Sequence, residues 1–503
     1  MRLARIFSDH VVLQRERPVP IWGWGEPGES VRVAFGGQSL ATTTDRSGKW
    51  RVQLAPMPVS ASPQELTVTG NTTIRVSDVL VGDVWLCSGQ SNMAFGLGGC
   101  DAEADIQSAT FPAIRFLHYW ERFAAEPQDD IDSRWQQVNP TTAGSCMAVA
   151  FYFARRVYQE TKIPIGLVAC TVGGTEIECW MPPEAFRTPS LRPIEKRLDE
   201  AIAQYQATLP GAVDAMERWL AVAKQALAQS RPVPNPPRYP LPPNEDRNGT
   251  WVRTQSLFKG MVAPLTSLAI KGVLWYQGEN NGDELKPYIE KQQALIESWR
   301  ARWGYDFPFY FVQLASWLKP STVPSGDDSS PRWQRCREAQ LASLKLPKTG
   351  MAVTIDIGDP GDIHPKNKLD VGERLALWAL AKDYGRTGLV YSGPIYKAMQ
   401  IEGRQIRLQF DHLGGGLMVG KKEGRRPVVE DKNGALKRFA IAGADRVWQW
   451  ADAKIEGGTV VVSSSRVTQP TAVRYAYALN PEGCNLYNRA GLPAFPFRTD
   501  KGD

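Results

Sequence analysis

Val84-Trp85-Leu86-Cys87-Ser88-Gly89-Gln90-Ser91-Asn92-Met93 decides the fold class of this 503-residue chain. Its first four residues form an unbroken apolar run, as expected of a strand buried on both faces. A polar turn with glycine follows at once. Similar runs stand at residues 165–170, 273–276, 309–314 and 352–356. Helix-like segments at 146–160, 284–302, 334–344 and 368–384 alternate with them. That alternation predicts an α/β domain with a mostly parallel sheet over residues 78–390.

The flanks read differently. Residues 1–77 alternate with period two at 31–35, 50–54 and 66–69, punctuated by Pro27-Gly28, Gly36-Gly37 and Ser47-Gly48. A small β-sandwich is predicted there. Residues 391–503 read as a second β-region with a closing loop, strand-like at 401–410 and 459–463. This agrees with about three domains at roughly 100–200 residues each. An insertion at about 190–250 interrupts the middle one. Ile194, Leu198, Ile202, Tyr205 and Leu209 share one helical face, and Met216, Trp219, Leu220, Ala223 and Leu227 another. Pro210-Gly211 lies between, so a helical hairpin is expected, followed by a proline-rich stretch.

Composition narrows the function classes. Lys and Arg total 59 against 53 Asp and Glu, a net charge of +6 without a basic run, so a nucleic-acid partner is not expected. No apolar stretch reaches the ~20 residues that span a bilayer. The seven cysteines are scattered, without zinc spacing, and Cys87, Cys170 and Cys179 read as buried thiols. Histidine is scarce, at positions 10, 118, 364 and 412 only. A neutral-pH base therefore has few candidates.

In open α/β sheets ligands bind beyond the carboxyl ends of the strands. Four strand ends deliver polar groups among small residues. They are Ser88 to Met93, Thr171 to Thr175, Gln277 to Asn280, and Ile357 to Pro365. Ser91 is the candidate nucleophile, exposed by a tight turn at Gly89, although a serine here also suits a helix cap. Gly-x-Ser-x-Gly is absent, which sets the α/β-hydrolase elbow aside. His364 is the candidate base because acids flank it, with His118 as the fallback. Asp356, Asp359 and Asp362 also permit a calcium loop, but no glutamate closes it at the expected place. Gly173, Gly174 and Gln277 suit an oxyanion hole, though Gly-Gly also suits a plain turn. Trp180, Trp251, Trp275 and Trp317 lie in or near these segments, and either stack on sugar or pack the core.

Gly89-Gln-Ser-Asn-Met93, Gly173-Gly-Thr175, Trp275-Tyr-Gln-Gly-Glu279 and Asp362-Ile-His-Pro365 resemble the sialate O-acetylesterase family of the SGNH hydrolases. The start at Phe7 to Arg15 and the end at Asn485 to Ala494 are similar too, so the resemblance spans almost the whole chain outside the insertion. It implies a three-layer α/β/α, flavodoxin-like catalytic domain. It implies a serine esterase that removes acetyl groups from sugar hydroxyls of sialic acid or plant hemicellulose, with no metal or organic cofactor. Ser91 would be the nucleophile and His364 the base. The Ser91 N–H, a Gly173 or Gly174 N–H and Gln277 would form the oxyanion hole. Gln90, Asn92, Thr175, Trp180 and Asn280 would line the substrate. The family usually carries Asp three residues before the histidine; here Gly361 holds that place. Asp362 is the first choice for the acid, with Asp359, Asp356 and Glu279 as alternatives. The family is generally exported, which implies a periplasmic or secreted enzyme, although the chain opens on a strand-like segment without a signal peptide. A non-catalytic carbohydrate-binding protein, or an esterase or lipase of other specificity, is the competing reading.

Overall fold

The computed structural model describes residues 1–119, 121–243, 254–327, 329–330 and 332–500. Five parallel strands make its centre: β1 (Thr73–Gly89), β2 (Ile165–Thr171), β3 (Gly272–Tyr276), β4 (Phe309–Val312) and β5 (Thr349–Ala352). Their order across the sheet is β2-β1-β3-β4-β5. The strand Phe111–His118 adds in parallel outside β2, and Trp135–Val138 closes that edge antiparallel. The expected parallel sheet is therefore present, within a larger mixed sheet of eleven strands.

Strand side chains alternate between two apolar cores. Val84, Leu86, Val168, Cys170, Val273, Trp275, Phe309 and Phe311 enter one. Trp85, Cys87, Leu167, Ala169, Leu274, Tyr276, Tyr310 and Val312 enter the other. This is why the strands read as continuous apolar runs, since neither face meets water. Helices α1 (Ala148–Thr161), α2 (Arg192–Ala228), α3 (Lys286–Trp303), α4 (Trp333–Ala342) and α5 (Lys368–Asp383) connect or flank the strands. Val149, Phe153 and Val157 of α1 join Leu375 and Ala379 of α5 in the second core. Leu295 and Trp299 of α3 join Cys336 and Ala339 of α4 in the first.

The boundary expected at residue 77 falls inside β1, whose 17 residues run without a break. Its first half pairs with Ser60–Thr69 of the N-terminal β-region, and its second half is the central strand of the α/β sheet. Ile21 and Val52 of a separate three-stranded sheet share a core with Val33 and Val68. In the C-terminal β-region, the run read as one strand at 401–410 is a hairpin. Ile395–Glu402 pairs antiparallel with Gln405–Asp411, turning at Gly403 with φ of 63°. Glycine takes that left-handed conformation without a Cβ penalty.

The insertion is not the expected helical hairpin. It is one continuous helix, α2, with Pro210 inside it. Leu209 and Met216 lie seven residues apart, two helical turns, so the two apolar faces are one stripe and Pro-Gly did not end the helix. The Trp219 indole donates to the Pro234 carbonyl at 2.8 Å, which brings the proline-rich segment back along it. The insertion from residue 244 onward lies outside the described residues up to 253.

Arg337 on α4 ties the C-terminal region to the sheet. It is 1% exposed and donates to the carbonyls of Leu314 and Ala315, both at 2.7 Å, of Leu479 at 2.8 Å, and of Ala478. Substitution Arg337→Met leaves these buried acceptors without donors. Each unsatisfied group costs about 1–3 kcal/mol. The variant should lose about 3–5 kcal/mol of stability, read as a lower denaturant midpoint, whereas Arg335→Met on the same helix should stay near wild type.

Candidate active site

The site forms where β1 ends between β2 and β3. Gly89 has φ of 129°, and a Cβ there would lie 2.1 Å from the Tyr276 carbonyl oxygen. Only glycine lets the chain pass so close to its neighbour. The turn is held from both sides. The Gln90 N–H donates to the Tyr276 carbonyl at 2.9 Å, and the Gly89 carbonyl accepts from the Val172 N–H at 3.1 Å. Ser91 then opens a one-turn helix, Ser91–Ala94.

His364 comes from the loop between β5 and α5. Its Nε2 lies 2.8 Å from Ser91 Oγ. Asp362 Oδ1 is 3.3 Å from His364 Nδ1 and also accepts the His364 backbone N–H at 2.8 Å. The Asp362 carboxylate is thus fixed by the same residue it would orient. Phe95 lies nearly parallel to the imidazole, with ring centroids 6.0 Å apart. Asn92 Nδ2 donates to the Ile363 carbonyl at 3.1 Å and pins the loop between acid and base.

The other candidate acids are occupied elsewhere. Asp356 forms a bidentate pair with Arg374, both contacts 2.7 Å, and accepts from Tyr487, so the calcium-loop alternative loses its first carboxylate. Asp359 accepts the Gly361 N–H at 2.8 Å. Glu279 accepts from Asn92 at 2.6 Å and from Gln90. His118 ends the outer strand Phe111–His118, which pairs with β2 and not with β1.

Gly173 is beside the serine: a Cβ there would sit 3.4 Å from Ser91 Cβ. Gly174 takes φ of 66°, and its carbonyl accepts from Asn280 Nδ2 at 2.9 Å. Asn280 is exposed at this rim. Gln277 departs from its expected part. It is fully buried, and its Nε2 donates to the Thr175 carbonyl at 3.1 Å and to Asn281 Oδ1 at 2.8 Å. Both amide hydrogens are spent on the loop, leaving none for an oxyanion. Thr175 and Trp180, expected to line the substrate, lie inside the fold. Both are completely buried, and the Trp180 indole donates to Thr175 Oγ1 at 3.1 Å. Trp275 packs edge-on against Trp180 in the core. Trp317 is half-buried and stacks on Trp333, and Trp251 lies outside the described residues.

The family model described as "Carbohydrate esterase, sialic acid-specific acetylesterase" matches residues 81–216 and 247–381. This chain belongs to that family. Carbohydrate O-acetylester hydrolysis, a carboxylic ester hydrolase activity, comes with that membership. The chain is 30% identical to mouse sialate O-acetylesterase over 99% of its own length and 94% of the relative's. It is 29% identical to the human sialate O-acetylesterase, covering 100% and 93%. A carbohydrate acetylesterase from Xanthomonas citri of known structure superposes with a TM-score of 0.80 at 34% identity, covering 99% of both chains. No helix among the described residues is long and apolar enough to cross a membrane.

Beneath the site this carbohydrate esterase buries two charges that sequence reading did not bring together. Asn92 Oδ1 accepts from the Lys368 ammonium, while Asn92 Nδ2 donates to Glu279. Gln90 also donates to Glu279, so the residues on both sides of Ser91 hang on one carboxylate. Burial pushes the Glu279 carboxyl above its ordinary range, opposed by the Asn92 and Gln90 hydrogen bonds and by Lys368. Burial likewise pulls the Lys368 ammonium down to about 8. Lys368 opens α5, and nothing in its spacing distinguishes it from the exposed lysine at 366. An unfolded lysine keeps its proton to about pH 10.4. Between pH 8 and 10 the unfolded chain therefore binds more protons than the folded one, and stability rises with pH. Relative to Lys368→Met, the wild type should gain stability from pH 8 to pH 10, on the order of 2 kcal/mol at most. Denaturant midpoints of both proteins at the two pH values measure it. A gain of opposite sign would mean the ammonium stays charged in the fold.

Proposed function

We propose that Ser91, His364 and Asp362 act as nucleophile, base and orienting acid of a carbohydrate O-acetylesterase. The observation that carries this reading is the 2.8 Å contact of His364 Nε2 with Ser91 Oγ, together with Asp362 at the opposite ring nitrogen. His364 takes the proton as Oγ attacks the acetyl carbonyl. The Ser91 N–H and the adjacent Gly173 or Gly174 N–H stabilise the oxyanion, at about 3–4 kcal/mol for a strong donor. The imidazolium then gives its proton to the departing sugar oxygen, leaving acetyl-Ser91. Water, deprotonated by the same histidine, attacks that ester and releases acetate. Asp362 holds the imidazole tautomer and stabilises the imidazolium.

The strand order β2-β1-β3-β4-β5 supports a three-layer, flavodoxin-like SGNH catalytic domain with Ser91 above its switch point. The names of the relatives support acetylated sugars as substrates, with sialic acid and plant hemicellulose acetates both within the class. Export to the periplasm or beyond the cell fits such substrates.

Acetate release from an aryl acetate and from a panel of acetylated glycans tests the assignment. Ser91→Ala should abolish turnover with the fold intact by circular dichroism; retention of most activity removes Ser91 from the role. For the acid, Asp362→Asn should lower kcat by at least about a hundredfold, on the precedent that a wrong tautomer costs ~10⁴. Asp359→Asn should change kcat little, and the reverse order would move the acid to Asp359.

A further inference from the structure

Asn92 joins the two loops that meet at Ser91 Oγ. It stands in the one-turn helix that Ser91 begins. Its Nδ2 donates to Glu279 Oε1 at 2.6 Å and to the carbonyl of Ile363, between Asp362 and His364, at 3.1 Å. Its Oδ1 accepts from the Lys368 ammonium. Both amide hydrogens and the amide oxygen are thus committed inside the protein. On the other side of Ser91, Gln90 Nε2 donates to the second oxygen of Glu279. Gln90 and Asn92, expected to line the substrate, are spent here instead. Gln90, Asn92, Glu279 and Lys368 are each at most 9% exposed, so bulk water does not replace a lost partner.

The Lys368 ammonium reaches three parts of the site at once. Besides Asn92, it lies 5.1 Å from the centre of the Phe95 ring, which flanks the His364 imidazole. It lies 5.6 Å from the centre of the Tyr276 ring, whose residue receives the Gln90 N–H on its carbonyl. The charged or titratable groups around it are the Glu279 and Asp362 carboxylates, the Cys100 thiol and the Tyr276 phenol. We propose that Glu279 and Lys368 are positioning residues of the reaction: as carboxylate and ammonium, acting through Gln90 and Asn92, they set the separation of the Ser91 turn and the His364 loop. The inference rests on the triad reading and deepens it, and both residues act at one remove from the reacting atoms.

Three observations separate positioning from packing. Apolar side chains of the same volume would fill this space at no worse stability. Charge-assisted hydrogen bonds are instead short and directional. The bonds also end on both neighbours of Ser91 and on the peptide between acid and base, not on distant scaffold. Finally, loss of the cation leaves Asn92 Oδ1 without its donor and Glu279 without its counter-charge. The Asn92 amide is then free to turn over, because its two ends have nearly one shape, and the Ile363 carbonyl loses its partner. A shift of about 1 Å at reacting groups costs about a hundredfold in rate. Burial draws the Lys368 proton off at about 8, whereas burial holds the Cys100 thiol up at about 11 and raises the Tyr276 phenol further. Above about pH 8 the clamp therefore loses its cation, and kcat falls with it.

Lys368→Met and Glu279→Gln test the proposal on p-nitrophenyl acetate, with Lys382→Met, an exposed lysine at the far end of α5, as the control. Each of the first two should lower kcat about a hundredfold with KM within about twofold. The double variant should lose no more than the worse single one, because the pair acts as a unit. Wild-type kcat should fall above about pH 8, and the fall should vanish in Lys368→Met. In Glu279→Gln it should move to lower pH, since the ammonium there lacks its carboxylate neighbour. Packing alone gives no such pH dependence. The wild-type profile needs no variant, so it decides even where a variant folds poorly by circular dichroism. Wild-type kcat flat from about pH 7 to 10, wild-type rates in both variants, or an additive double variant overturns the proposal. Labelling of Ser91 by a fluorophosphonate keeps it separate from the esterase reading. There the Oγ–P bond forms as fluoride leaves, and His364 takes the serine proton. Slower labelling in both variants supports the clamp even if no sugar acetate is hydrolysed, a result that would sink the esterase reading alone. Equal labelling of variants and wild type, with Ser91→Ala unlabelled, overturns the clamp and leaves the triad standing.

Discussion

Gly89 passes close against the Tyr276 main chain, and the placement of Ser91 depends on it. A Cβ at 89 would lie 2.1 Å from the Tyr276 carbonyl oxygen, so any other residue pushes β1 away from β3. That separation would shift Ser91, which follows two residues later, relative to His364, which arrives from β5. It would also unseat Gln90, whose N–H is bonded to the same carbonyl. A sub-ångström displacement matters here because proton transfer requires a hydrogen-bonded pair and the oxyanion donors must meet the developing charge.

The fold is legible wherever one physical cause controls the pattern. The five central strands are buried on both faces, so their apolar runs and the polar turns after them stand out without reference to anything distant. Ser91 and His364 meet for the same reason: strand ends in such a sheet converge. Two causes defeated the reading elsewhere. Pro210-Gly211 carries the local mark of a break, yet α2 runs through it with one apolar stripe, of which Leu198 and Ala223 are buried. Gln277 follows a strand and bears an amide, so it looks like an oxyanion donor. Its two N–H groups are consumed by the Thr175 carbonyl and Asn281, partners a hundred residues upstream and four downstream. No spacing rule reveals how a side chain's hydrogen bonds are divided. Trp180 fails similarly, since an aromatic near a site and an aromatic in the core have one composition.

Glu279 illustrates the difference between being near the chemistry and doing it. As a carboxylate at a strand end it competes with Asp362 for the acid's role. Its position shows another use: it collects Gln90 and Asn92, the neighbours of Ser91, while Lys368 holds Asn92 from the other side. Burying a carboxylate and an ammonium together is costly, and hydrophobic replacements of such groups are often no less stable. Stability is therefore a weak reason for the arrangement. Fixing the two side chains that bracket Ser91 is a stronger one, because the hydrogen bonds specify a single orientation where apolar packing tolerates several.

The same division of labour extends outward. Gln277 and Asn280 grip the backbone at Thr175 and Gly174, so the turn after β3 sets the position of the turn after β2. Asn367 at the end of the loop carrying His364 binds Gly424, and Asp370 on α5 pairs with Lys422, so both tie to the C-terminal β-region. Arg337 fastens that region to the strand-end carbonyls at Leu314 and Ala315. Each of these contacts joins segments far apart in sequence, and each ends on main chain or on a charged partner rather than on substrate. The C-terminal β-region is therefore braced against the loop that carries His364.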